Sequence, residues 1–130
     1  MITGVGFVYT MVEVADVVDG DTLDLRLTRD IGFYFTATAF VRCRLLGCDT
    51  PERGKAGWTE ATEFTRNWCE SRAGRIEAVT YKADHPVPLP DGGFGRWLVN
   101  LLDGDVLEDG ESLSDLLLDT GHAVPYERKS

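Results

Sequence analysis

The sequence predicts an α+β fold that is mostly β: a small five-stranded barrel carrying two helices. Three observations predict it. Val-, Tyr-, Thr- and Leu-rich runs with strand periodicity fill the first fifty residues. Two segments switch to helical period, one mid-chain and one near the end. Turn signals divide the remainder into pieces of strand length. At 130 residues and 14.4 kDa the chain reads as one domain, 1–130.

The elements follow in order. Phe7 to Val18 reads as a strand and Asp19-Gly20 as a hairpin turn. Leu23, Leu25 and Leu27 alternate with Asp24 and Arg26, which predicts a half-buried strand. Arg29-Asp30-Ile31-Gly32 looks like a second turn, and Phe33 to Leu46 like a long strand. The first fifty residues thus form a three-stranded meander. Between Thr59 and Arg72, Ala61, Phe64, Trp68 and Cys69 build one apolar stripe, with Thr59 placed to cap the helix and Gly74 to stop it. Arg75 to Lys82 is the fourth strand. Ala83 to Gly93, with three prolines and two glycines, is a loop. Arg96 to Leu102 is the fifth strand. Ser112 to Thr120 is a second helix with leucines at 113, 116 and 117, ended by Gly121. Five strands with a helix after the third is the plan of an OB-fold.

Composition limits the function. No apolar run is long enough to span a bilayer. The amino terminus lacks a basic region and a small-residue cleavage site, which predicts no signal peptide and a cytoplasmic protein. Cys43 and Cys48, five apart on one predicted strand, would stand roughly 16 Å apart, too far for a disulfide. With Cys69 they read as buried small hydrophobes in a reducing compartment. The net charge of −9 excludes a protein that coats nucleic acid through a basic surface. Any grip on a phosphate chain must be local, or a protein partner must supply the basic surface.

The local grip is legible in three pieces: Asp19-Gly20-Asp21-Thr22, then Arg44-Leu45-Leu46-Gly47-Cys48-Asp49-Thr50-Pro51-Glu52, then Gly95-Arg96. Asp21 and Asp49, with the Thr50 carbonyl, can give a hard divalent cation three oxygens and leave room for phosphate and water. Asp19 is either a further ligand or the turn residue; the favoured role is support behind the ligands. Pro51 fixes the turn so that Glu52 faces the same cavity as Asp49 and can activate a water. Arg44 and Arg96 can each bind two phosphate oxygens through a planar fork, and Arg42 is a neighbouring alternative to Arg44. Crowding of Asp21, Asp49 and Glu52 predicts a fold destabilised by repulsion until a cation binds. His85 and His122 show no paired ligand spacing and read as surface residues.

These pieces, in this order and followed by Gly121-x-Ala123-x-x-Tyr126, resemble the staphylococcal (micrococcal) nuclease family. The resemblance runs from about Val14 to Tyr126. It implies a Ca²⁺-dependent nuclease, with Mg²⁺ as a weaker substitute, that cuts single-stranded DNA and RNA at the 5′ P–O bond and leaves 3′-phosphates. It implies Asp21, Asp49 and Thr50 as metal ligands, Glu52 as general base, and Arg44 and Arg96 as catalytic arginines. The chain is expected to be a monomer. Tyr126 matches a tyrosine of the family's nucleotide pocket; read from the residues alone, it is equally a packed C-terminal aromatic. Three departures stand out. Gly93-Phe94 replaces a Lys-Tyr pair, so that Phe94 takes the place of a phosphate-contacting hydroxyl. The loop Arg53 to Gly57 is short, and the third helix is expected to be truncated or absent. Rival readings are an OB-fold binding module for single strands and a structural or partner-binding domain of a larger assembly such as a phage particle.

Overall fold

The computed structural model describes residues 2–83, 97–104 and 112–125. It is α+β and mostly β. The elements are β1 (Ile2–Tyr9), β2 (Met11–Asp19), β3 (Thr22–Gly32), β4 (Phe35–Leu45), β5 (Cys48–Asp49), α1 (Trp58–Ser71), β6 (Ile76–Ala83), β7 (Trp97–Asp103), α2 (Leu113–Asp119) and β8 (Val124–Pro125). Six strands form one mixed sheet in the order β1-β6-β7-β4-β3-β2, and β5 pairs with β8 separately. The β4–β7 pairing is parallel, Cys43 to Trp97 through Leu45 to Val99, and every other pairing is antiparallel. Among the described residues no helix is long and apolar enough to cross a membrane.

The expected three-stranded meander is present as β2-β3-β4. The expected first strand is instead two. The chain bends at Thr10, leaving β6 as partner for β1 and taking β3 as partner for β2. This split turns five strands into six, and β1 and β2 become the two edges of an open hydrogen-bonded order. The short β5 and β8 were too brief to leave a periodic signal.

The alternation read in the sequence sets the core. Leu23, Leu25 and Leu27 point inward and meet Cys43, Leu45, Val99, Leu101, Ile76 and Ala78 from the neighbouring strands. One face of α1 adds Ala61, Trp68 and Cys69, with Phe64 packed at the margin. Leu113 and Leu117 of α2 are fully buried, while Leu116 is half-buried. All three cysteines are free and buried. Burial, the main cause, pushes the thiols of Cys43 and Cys69 up to about 12 and that of Cys48 to about 11. They stay protonated and act as small apolar groups.

Two local expectations need correction. Thr59 does not cap α1. Gly57 holds the cap position at φ 89 with no side-chain cap bond, a left-handed conformation open to glycine. In α2 the cap is as expected: Ser112 accepts from the Asp115 amide at 3.2 Å. The second turn is also displaced. Asp30 does make a local turn, its Oδ1 accepting from Gly32 N at 2.8 Å, but inside β3 as a register shift. The reversal lies at Phe33-Tyr34, both left-handed (φ 52 and 68) and 90% and 104% exposed. A two-residue turn of this hand is the position for Asn-Gly, and bulky residues there cost about 1–2 kcal/mol each. Phe33→Asn with Tyr34→Gly is therefore expected to raise the unfolding free energy by about 1 kcal/mol, read by denaturant titration. An unchanged or lower midpoint would mean that the rings stabilise the turn.

Candidate active site

Antiparallel pairing of β3 and β4 sets Thr22 opposite Arg44, and Leu45 N donates to the Asp21 carbonyl at 2.9 Å. The start of one strand and the end of the next therefore carry Asp21 and Arg44 side by side. Gly47, at φ 81, then turns the chain so that β5 returns Asp49 to the same spot. Arg44 Nη2 lies 3.0 Å from Asp49 Oδ1 and 3.6 Å from Asp21 Oδ2. One guanidinium thus bridges the two carboxylates expected to hold a cation.

Asp21 is only 5% exposed. Its Oδ2 accepts from Thr50 N at 3.1 Å and its Oδ1 from the Thr22 hydroxyl at 3.1 Å. Gly20 permits this geometry: a Cβ there would stand 2.9 Å from Thr50 Cγ2 and 3.0 Å from Ala61 Cβ. Helix α1 holds the turn from behind, since the Thr65 hydroxyl donates to the Gly20 carbonyl at 2.6 Å. Asp19 accepts from Trp58 Nε1 at 2.6 Å, and the Arg53 guanidinium stacks 5.1 Å over the Trp58 ring. That contact ties Asp19 to the first turn of α1.

Glu52 is exposed on the loop after Thr50-Pro51, its carbonyl accepting from Lys55 N at 2.9 Å. Asp49, Thr50, Pro51 and Glu52 line one wall of an open cleft of about 380 Å³. The other wall is Gly121 to Val124, held there by β5–β8 pairing of Asp49 with Val124. Glu52 does share the Asp49 cavity, as Pro51 led one to expect. Among the described residues no three His, Cys, Asp or Glu side chains are placed to hold a metal ion together, so Glu52 does not join Asp21 and Asp49 in the expected crowded cluster. Arg44 occupies the space between Asp21 and Asp49.

Arg42 is committed elsewhere. Strand alternation puts it opposite Asp24, with which it forms a two-pronged pair at 2.8 and 3.1 Å. That bond, and the Asp24 charge, raise its pKa above the ordinary value. Arg96, Phe94 and Tyr126 lie outside the described residues, as does His85. Two cleft residues escaped the sequence reading. Lys55 and His122 both line it, but a lone Lys in a loop and a lone His after Gly121 carry no spacing signal.

Asp21 and Asp49 are carboxylates, and a carboxylate oxygen with one hydrogen bond keeps a free lone pair. The Thr50 hydroxyl oxygen is buried without a hydrogen-bond partner; it is this group, and not the carbonyl expected as a ligand, that is left unsatisfied. Oxygens of this kind are the ligands that Ca²⁺ or Mg²⁺ takes, but Arg44 stands between the two carboxylates, so a cation there would have to share them with its guanidinium. No protein-family model matches the chain, and no curated protein matches it.

Proposed function

We propose that this chain is a Ca²⁺-dependent phosphodiesterase that hydrolyses single-stranded DNA and RNA, built on an OB-type barrel. One observation carries the reading: Arg44 stands within hydrogen-bonding and ion-pair distance of Asp49 and Asp21 at the head of the cleft that Asp49 shares with Glu52. The strand order supports the barrel. Only Thr10 separates the edge strands β1 and β2, so counting them as one bent strand makes the order a ring of five: β1/β2, β3, β4, β7, β6.

Asp21, Asp49 and Thr50 would hold the cation, which when bound neutralises charge on the phosphate oxygens. Glu52 takes a proton from a water aimed at phosphorus, in line with the departing 5′ oxygen. Arg44, with Arg96, donates to the non-bridging oxygens, where charge builds in the transition state. The water oxygen forms the new P–O bond, the P–O5′ bond breaks with its electron pair going to the 5′ oxygen, and that oxygen takes a proton from solvent water to become a hydroxyl. The products are a 3′-phosphate and a 5′-hydroxyl. End-group analysis of digested single-stranded DNA tests this. The fragments should resist polymerase extension until a phosphatase removes the 3′-phosphate; extension without phosphatase would overturn the bond assignment.

A partner-binding role is the second reading. Ile31, Phe33, Tyr34 and Phe35 form an exposed apolar apex on the β3–β4 hairpin, the kind of patch that marks an interaction surface.

Cation binding is also testable without catalysis. Ca²⁺ should raise the melting temperature by mass action on the native state. Asp21→Asn should remove most of that response. Because Asp21 is paired with Arg44 and accepts two hydrogen bonds, the variant should melt lower than the parent without Ca²⁺, rather than higher as charge crowding would have required. A full Ca²⁺ response in Asp21→Asn would place the ion elsewhere.

A further inference from the structure

We infer that two copies of this chain form a dimer by pairing the free edges of their β4 strands, antiparallel about a two-fold axis at Thr38. The inference is independent of the phosphodiesterase reading. It gives the exposed apex a partner, a second copy of the chain, in place of the monomer expected from the sequence.

The register leaves the edge open. Strand β4 pairs with β3 from Phe35 to Arg44, but with β7 only from Cys43 to Leu45. Strand β2 begins at Met11, opposite Thr28. Among the described residues, the hairpin beyond Thr28 and Thr38 is therefore a two-stranded arm with no strand paired at its sides. Residues 35–40 are exposed on both faces of it. The two edges of the arm are built differently. The β3 edge carries Arg29, Asp30 and a register shift, features that block pairing with another chain. The β4 edge, Phe35 to Val41, holds no charge, no proline and no glycine. A row of backbone N–H and C=O groups along such an edge is a template for another strand, which neither a nucleic acid nor a lipid supplies.

The strand that fits is the same one. A net charge of −9 keeps copies apart wherever their acids face each other, but the β4 edge brings no charge to the contact. Full overlap of the uncharged run puts Thr38 opposite Thr38 of the second copy. Phe35 then faces Val41 and Thr36 faces Phe40, so each aromatic of the edge meets a β-branched residue, a favourable cross-strand pair. Each turn ends beside Arg42 of the second copy, one residue short of Cys43, where β7 closes the edge. The length of the free edge and the length of the uncharged run therefore agree. The area is also sufficient. Phe35 and Phe40 are 67% and 69% exposed, and Phe33 and Tyr34 more so. Aromatic side chains hide about 150–250 Å² each, so these four supply roughly 500 Å² or more of the about 800 Å² per copy that a stable interface buries, before the strand backbones are counted.

The experiment is analytical ultracentrifugation of the full chain over a concentration series, beside oxidative crosslinking of cysteine variants. The parent protein should sediment at twice 14.4 kDa and dissociate on dilution. Thr38→Lys sets like charges directly opposite each other on the axis and should weaken the dimer by about tenfold or more. Thr38→Cys should form a disulfide-linked dimer under mild oxidation, because directly opposed residues stand about 4.5–5.5 Å apart between Cα atoms. Thr36→Cys is the control, since its two copies would stand roughly 14 Å apart. The native cysteines are buried, so the parent should not crosslink. Thr36 and Thr38 are both exposed, and unchanged circular dichroism excludes misfolding of the variants. A parent protein that stays monomeric up to about 100 μM overturns the pairing and leaves the apex to a different partner. A dimer that survives Thr38→Lys unchanged, or that crosslinks as fast through Thr36→Cys as through Thr38→Cys, overturns the β4 interface.

Discussion

Arg44→Lys is expected to slow phosphodiester cleavage by about 10²-fold or more, the usual loss for one positioned donor in a water-poor site. The geometry gives the reason. Arg44 Nη2 reaches Asp49 at 3.0 Å and Asp21 at 3.6 Å. Its planar fork can hold those carboxylates and still direct N–H groups at a phosphate. A lysine keeps the charge but concentrates it on one mobile ammonium, which cannot do both. The loss should fall on kcat more than on KM, because the donors matter most when charge builds on the equatorial oxygens. Stability should fall less than in Arg44→Ala, which leaves the 5%-exposed Asp21 without its cation. Steady-state kinetics on a single-stranded oligonucleotide decide it. Near-parental turnover in Arg44→Lys would make Arg44 a structural bridge and not a catalytic group.

Gly20→Ala is expected to cost about 1–3 kcal/mol of stability, the range for forcing a methyl into filled space. The new Cβ would stand 2.9 Å from Thr50 Cγ2, 3.0 Å from Ala61 Cβ and 3.1 Å from the Ala61 carbonyl carbon. Two of these belong to the first turns of α1, which cannot retreat without moving the helix. Thr50 is the softer neighbour, and its displacement lengthens the 3.1 Å bond from Thr50 N to Asp21. The substitution should therefore weaken Ca²⁺ binding as well as the fold. Denaturant unfolding and a Ca²⁺ titration measure the two effects. A variant that lost stability but bound Ca²⁺ unchanged would uncouple Gly20 from the site.

That coupling was only partly legible in the sequence. Asp21, Arg44, Asp49 and Glu52 could be read because each lies at a strand end or a turn, where spacing along the chain translates into position. Leu23, Leu25 and Leu27 were legible for the same reason, since alternation fixes a face. The packing of Gly20 against Ala61 was not, because it depends on where α1 docks and not on either residue's neighbours. Arg42 looked interchangeable with Arg44 until the register set it opposite Asp24. Lys55 and His122 come from segments far apart in the chain, and only the β5–β8 pairing brings them to one cleft. The displaced turn shows the converse. Asp30-Ile31-Gly32 has turn chemistry, but cross-strand pairing carries β3 through it to Gly32.

Cleavage of denatured DNA by the purified protein, with Ca²⁺ or with excess EDTA, tests the central claim most directly, using Glu52→Gln as the control. The parent protein should degrade the DNA with Ca²⁺, stop when EDTA is added and resume when Ca²⁺ is restored. Glu52→Gln should be slower by about 10²–10⁴-fold, the contribution of a general base. No cleavage across a broad range of Ca²⁺ concentration and alkaline pH, or cleavage indifferent to EDTA and to Glu52→Gln, would contradict the account.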